Sequence, residues 1–286
     1  MKKSPHNTSP MIYPQSIWRL LINPPGTGAW NMAVDEAILH SIGAGISLPT
    51  LRLYAWEPAC LSLGYAQLSS DVDHTRLNER GWELVRRPTG GKAILHTDEL
   101  TYSVIVSNDE PRLLGSVLQS YQRISQALLH ALQSLSLPAR SNENSSSIGD
   151  STLAGPVCFE VPSHFEITVG GKKLVGSAQA RKREGVLQHG SLPLHGDLTR
   201  ITQVLTYEND DERTIAAGRL LERATTIEAF LGYPISWEVV SQAFITAFTT
   251  KLNLDLQPQD LSPQENSLAT RLVEEKYSHP DWTNRI

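Results

Sequence analysis

Trp82-Glu83-Leu84-Val85-Arg86-Arg87-Pro88-Thr89-Gly90-Gly91-Lys92-Ala93-Ile94-Leu95-His96 is the stretch in which sheet structure is most plainly written. Trp82 to Arg87 and Lys92 to His96 read as strands, and the turn residues between them predict a hairpin closed at Gly90-Gly91. Cations flank the turn on both sides. Exposed backbone N–H groups in a Gly-Gly turn form a nest for a carbonyl oxygen or a phosphate, and glycine lets the ligand approach closely. The segment is not a Walker A loop, because Ala93 follows Lys92 where Ser or Thr is needed.

Working outward, Ser16 to Ile22, Thr50 to Trp56, Cys60 to Tyr65 and Thr101 to Val106 are further strand-like runs separated by turn residues. Asn31 is placed to cap a helix through about Ile42, with Met32, Asp35, Glu36 and Leu39 at helical spacing. Leu118, Tyr121, Ile124, Leu128, Leu132 and Leu135 share one face of a helix over Val117 to Leu137, which Pro138 ends. Ser141 to Gly155 is polar and Ser-rich and predicts a mobile loop. Phe165 to Val169, Gly170-Gly171 and Lys172 to Ala178 predict a second hairpin, and Gly185 to Leu194 another strand. Beyond Asp197 the pattern is mainly helical: Leu198 to Leu205, a segment around Ile227, Val239 to Leu252 and Leu268 to Tyr277. The expected architecture is α+β, a mixed and largely antiparallel sheet flanked by helices. Residues 1–15 read as a disordered lead, 16–250 as the main domain and 251–286 as a helical extension packed on it.

The chain has 286 residues and a formal charge of −5, which argues against a nucleic-acid binder with a broadly basic surface. The total does not exclude local basic patches, of which Arg181-Lys182-Arg183 is one. The polar, Pro-rich segment after Met1-Lys2-Lys3 lacks the apolar core of a signal peptide, and no run is long enough to span a membrane. Two cysteines in a chain of this size make a disulfide framework improbable and point to a reducing compartment, the cytoplasm. No tight cluster of metal ligands and no Ser/His/Asp arrangement stands out.

Cys60, in Ala59-Cys60-Leu61-Ser62-Leu63, reads as an inert core thiol. Cys158, in Pro156-Val157-Cys158-Phe159-Glu160-Val161-Pro162-Ser163, follows the polar loop and precedes a strand that carries Lys172 and Lys173. Strand alternation turns one of these lysines inward, and Lys173 is the candidate to favour a thiolate at Cys158. His189-Gly190-Ser191 brings an imidazole or a backbone donor to the same region, or holds a structural histidine.

In order, Asn31-Met32-Ala33-Val34-Asp35-Glu36-Ala37, Arg86-Arg87-Pro88-Thr89-Gly90-Gly91, His96, Lys173-Leu174-Val175-Gly176-Ser177-Ala178-Gln179 and His189-Gly190-Ser191 resemble the biotin/lipoate protein ligase superfamily, lipoate-protein ligase A branch. The ending Lys276-Tyr277 with Asp281-Trp282 is also similar to that branch. Within it, Cys-Phe-x-x-Pro-Ser followed by a lysine resembles the octanoyltransferases of LipM type. Lys92 in place of a third glycine, and Glu99-Leu100-Thr101-Tyr102-Ser103 in place of an Asn-rich segment, depart from the ATP-using ligases. The resemblance implies octanoyl transfer from acyl carrier protein, through a thioester on Cys158 assisted by Lys173, to a lysine of a lipoyl domain or a glycine-cleavage carrier protein, with no cofactor. It implies substrate contacts at Arg87, Thr89, Gly90, Gly91, His96, Gly176, Ser177, Ala178, His189 and Gly190. An ATP-dependent lipoate ligase and a non-catalytic acyl-binding module are the competing readings.

Overall fold

The structure is a computed structural model that describes residues 13–142, 157 and 166–286. In chain order the first half runs β1 (Ser16–Ile22), α1 (Gly28–Gly43), β2 (Thr50–Tyr54), β3 (Cys60–Leu63), α2 (His74–Glu79), β4 (Glu83–Arg86), β5 (Ile94–His96), β6 (Glu99–Val106) and α3 (Val117–Ser134). There follow β7 (Arg140–Asn142), β8 (Glu166–Val169), β9 (Lys172–Arg181), β10 (Val186–Pro193), α4 (Asp210–Arg223), α5 (Ile227–Leu231), α6 (Trp237–Leu252), β11 (Leu254–Pro258), α7 (Pro263–Leu272) and α8 (Pro280–Thr283). A main eight-stranded sheet has the order β11-β1-β2-β6-β10-β9-β8-β7, and a small sheet has the order β4-β3-β5. Only β11·β1, β1·β2 and β3·β4 are parallel among the described pairs, so the largely antiparallel, mixed sheet is as expected.

Both faces of the main sheet are covered. One packs against α3 and α6 through Tyr102, Val104, Ile124, Leu128, Phe244 and Phe248. The other packs against α1, whose far side meets α7, through Leu21, Ile105, Leu187, Met32, Ala37 and Ala269. The small sheet has its own core of Leu61, Leu63, Val204, Leu205 and Leu220.

Three sequence expectations are corrected. Trp82–Arg87 and Lys92–His96 do not form a hairpin: β4 and β5 lie on opposite sides of β3, and residues 87–93 cross over its end. Pro88 has no N–H to continue a ladder. The crossing is so close that a Cβ on Gly64 would stand 1.8 Å from the Gly91 carbonyl oxygen. Second, α1 starts at Gly28, because the Thr27 hydroxyl accepts from the Trp30 N–H at 3.2 Å. Asn31 is inside the helix and wholly buried, donating to the Gly26 and Ala55 carbonyls at 3.1 and 3.0 Å. Third, the stretch after α6, expected as a helical extension, also carries a strand: β11 adds an edge strand beside β1.

The second hairpin forms as expected, with Gly170 and Gly171 at φ of 59° and 80° joining β8 to β9. Of the lead expected over residues 1–15, Tyr13 is buried against the core, and residues 1–12 lie outside the described residues. The polar loop expected over 141–155 begins in β7, and from residue 143 it too lies outside them. No described helix is long and apolar enough to cross a membrane.

Candidate active site

Where the small sheet abuts β6, β10 and β9, a cavity of about 260 Å³ opens. The register sets its wall, since His189 lies between Ser103 and Ala178, and Gly190 between Tyr102 and Ser177. Gly190 has to be glycine: a Cβ there would stand 2.6 Å from the Tyr102 ring and 2.7 Å from the Gly176 carbonyl oxygen.

Two buried polar chains hold the wall. In the first, Asp35 of α1 pairs with Arg52 at 2.7 Å, accepts from the Ser103 hydroxyl at 2.6 Å and faces His189 Nδ1 at 3.7 Å. Burial alone would raise the Asp35 carboxyl, but the Arg52 guanidinium and the contacts from His189 and Ser103 outweigh it and hold it below the ordinary carboxylate value. Burial pushes His189 below its ordinary value, further than Asp35 pulls it up, so the ring is neutral at neutral pH. Its Nε2 lies 2.7 Å from the Thr89 hydroxyl.

In the second chain, Ser62 Oγ lies 2.8 Å from His96 Nε2, and His96 Nδ1 lies 2.8 Å from Glu99 Oε1. Ser191 donates to the same carboxylate oxygen at 2.9 Å, and so does Thr101. The imidazole thus bridges the Ser62 hydroxyl to the Glu99 carboxyl group, on which Ser191 and Thr101 also converge. Trp56 stacks on the imidazole at 3.9 Å, with its own N–H on Thr101 at 2.8 Å. Arg87 donates to the Ser62 hydroxyl at 3.1 Å and to the Gly90 and Lys92 carbonyls at 3.0 and 2.7 Å, so it shapes the Gly-Gly crossing from inside.

Lys173, at the head of β9, is 3% exposed, and its Nζ lies 2.9 Å from Glu166 Oε1; Lys172 beside it is exposed. Tyr102, bonded to Ser177 at 2.8 Å, is pushed up to about 12 by burial and stays a phenol. Cys60 is fully buried and its thiol is driven well above the ordinary value by burial, with Glu83 and Glu99 adding to the effect. Cys158 lies outside the described residues. Val157 before it is buried and bridges in parallel to Ala93, two residues beyond Gly91.

Residues 27–249 match the family described as the lipoyl protein ligase A/B catalytic domain. The chain belongs to this family. It is 42% identical to octanoyltransferase LipM of Kyrpidia tusciae over 94% of this chain and 98% of that one. It is 38% identical to octanoyltransferase LipM of Brevibacillus brevis over 94% and 99%. Among solved structures it superposes on a bi-partite lipoate protein ligase of Thermoplasma acidophilum with a TM-score of 0.79 and 27% identity, covering 94% of this chain and 96% of that one.

In this lipoyl protein ligase A/B domain, most of the residues singled out from sequence meet at one cavity. Arg87, Gly90, Gly91 and His96 line it from the crossing and β5, Lys173, Gly176, Ser177 and Ala178 from β9, and His189 and Gly190 from β10. Thr89 is not part of the wall; it holds His189. The sequence showed no serine–histidine–carboxylate arrangement, yet Ser62, His96 and Glu99 form a hydrogen-bonded one. Ser62 and Glu99 carry no local motif that would have revealed it. Tyr54, Trp56 and Tyr121 of the wall were missed for the same reason, whereas Met32 and Ser191 lie in motifs read from the sequence but were not singled out as site residues.

Proposed function

We propose that this chain is an octanoyltransferase of lipoate biosynthesis that works in the cytoplasm, takes its acyl group from an octanoyl thioester on acyl carrier protein and holds it on Cys158. The Cys158 thiolate attacks the thioester carbonyl, the carrier thiolate leaves and takes up a proton, and an acyl-enzyme remains. The neutral amine of a lysine on a lipoyl domain or glycine-cleavage carrier protein then attacks, the Cys158 thiolate leaves, the amine loses a proton, and an amide has formed. Exchange between thioesters is nearly isoenergetic and thioester to amide runs downhill, so no ATP enters.

The observation that carries this reading is Lys173, a buried ammonium on the wall of a largely apolar cavity, beside a crossing to which the neighbour of Cys158 is bridged. An ammonium there favours a thiolate and supplies positive charge where the tetrahedral oxyanion develops. The cavity excludes water from the acyl chain, and each buried methylene adds ~0.8 kcal/mol to discrimination by length.

Intact-protein mass spectrometry after exposure to octanoyl-carrier thioester tests the reading. An octanoyl adduct that a lipoyl domain discharges is expected. Turnover with ATP and lipoate but no adduct would instead make the chain a lipoate ligase, and turnover with neither would make it an acyl-binding module.

A further inference from the structure

Beside the acyl cavity lies a second, open hollow of about 330 Å³, lined among others by Tyr65, Gly90, Gly91, Lys92, Arg181 and Lys182. Gly90, Gly91 and Gln179 belong to the walls of both, so the hollow is the outer vestibule of the cavity. Cations from three distant parts of the chain gather at its wall or on its Tyr65. Lys92 follows the Gly-Gly crossing, Arg181 and Lys182 stand at the end of β9, and the C-terminal segment lays the Arg285 guanidinium 4.0 Å from the centre of the Tyr65 ring. Lys182 Nζ lies 5.6 Å from the same ring.

Nothing among the described residues neutralises them. Lys92, Lys182 and Arg285 have no carboxylate partner there. Arg181 donates only to neutral acceptors, Gln179 Oε1 at 3.0 Å, the Leu113 carbonyl at 2.9 Å and the Ser120 hydroxyl at 3.1 Å. In a chain of net charge −5, three cations line one hollow, a fourth, Arg285, stacks on Tyr65 of its wall, and none is paired with a carboxylate among the described residues, so the hollow forms an anion site. The positive potential registers on Tyr65, whose phenol is drawn below its ordinary value by its hydrogen bond with Arg285 and by the charges of Arg285, Lys182 and Lys276.

We propose that this vestibule binds the phosphate of the acyl donor's pantetheine arm while the thioester reaches inward past Gly90-Gly91. The inference rests on the octanoyl transfer proposed above and adds its donor subsite. A phosphate ester fits because it is compact and doubly charged and accepts several charge-assisted hydrogen bonds, while the arm beyond it is a slender neutral chain that can pass a glycine-lined wall.

The test compares octanoyl-4′-phosphopantetheine with octanoyl-pantetheine as donors to one lipoyl domain. Wild type should prefer the phosphorylated donor by about ten-fold in kcat/KM, the value of one such hydrogen bond, and the preference should shrink with salt. In Lys182→Glu and Arg285→Glu the ratio between donors should fall to near one; taking a ratio cancels any change that affects both donors alike. A wild-type ratio near one, or a ratio that both substitutions leave intact, would overturn the proposal. Calorimetric titration with 4′-phosphopantetheine reads the hollow without turnover, so absence of transfer would sink the activity and leave the vestibule still decided by binding and its loss in the two variants. Tighter binding of ATP than of 4′-phosphopantetheine would assign the hollow to a nucleotide and overturn it as well.

Discussion

At the scale of single residues, the two cysteines separate cleanly. Cys60 is sealed in an apolar strand with a thiol that burial and nearby carboxylates keep protonated, whereas Cys158 follows Val157, which bridges Ala93 next to Ile94 of the cavity wall. Cys158→Ala is therefore expected to abolish both transfer and the octanoyl adduct, and Cys60→Ala to leave both nearly intact, as read by intact mass and gel-shift of a lipoyl domain. Full transfer by Cys158→Ala would overturn the mechanism. Lys173 raises a different question, because a buried ammonium has to be compensated. Glu166 supplies a carboxylate at 2.9 Å, and Glu166→Gln should cost about 3–5 kcal/mol of stability, the usual penalty for breaking a buried pair. Lys173→Met in the same chain should recover part of that loss in a denaturant titration. An additive double mutant would show that the two groups do not act as a pair.

At the scale of elements, the C-terminal segment is tied to the parts that build the site. Arg86, at the end of β4, donates to the Thr283 carbonyl at 3.0 and 2.7 Å, and the Trp282 indole N–H returns a bond to the Arg86 carbonyl at 2.8 Å. Lys276 grips Glu36 of α1 at 2.8 and 2.6 Å, and Tyr277 bonds the same carboxylate. The end of β4 and α1 flank the crossing and the Asp35 chain, so this clamp keeps both in register with the main sheet. Trp282→Phe removes one N–H and should cost about 1 kcal/mol. Trp282→Ala also removes ring contacts with Tyr65 and Tyr277 and should cost about 2–4 kcal/mol, with a matching loss of transfer measured at fixed temperature. Equal stability of the Phe and Ala variants would show that the ring contributes nothing.

At the scale of the whole molecule, the buried polar groups set how stability depends on pH. His189 sits below its ordinary value, so its contribution is complete above the unfolded value of ~6.5 and is lost as pH falls toward the folded value. Asp35 and Glu265 are held below the carboxylate range, Glu265 because Arg19, Ser262 and Ser47 outweigh the effect of burial. Their contribution is present above ~4 and disappears as pH falls through their folded values. Thermal unfolding should accordingly show a shallow decline below ~6.5 and a steep one below ~4. In His189→Gln the shallow stage should vanish while the steep one stays, and a single unchanged acid transition would refute the assignment.

The sequence by itself determined the largely antiparallel α+β sheet, the family, the octanoyltransferase reading, the hairpin at Gly170-Gly171 and the inward turn of Lys173. These follow from local rules, alternation and turn chemistry, or from ordered motifs that survive without knowledge of contacts. Only the tertiary structure decided that β3 runs between β4 and β5, since the pairing partner of a short strand is set by long-range packing, and the Gly-Gly segment suits a crossing as well as a turn. It alone joined Ser62 to His96 and Glu99, and Asp35 to Arg52 and His189, because hydrogen bonds between residues far apart in sequence leave no periodic trace. It alone brought Arg285 to Tyr65 and Lys182, cations that the net charge of −5 hides: a total charge records how many charges a chain carries, and folding decides which of them share a field.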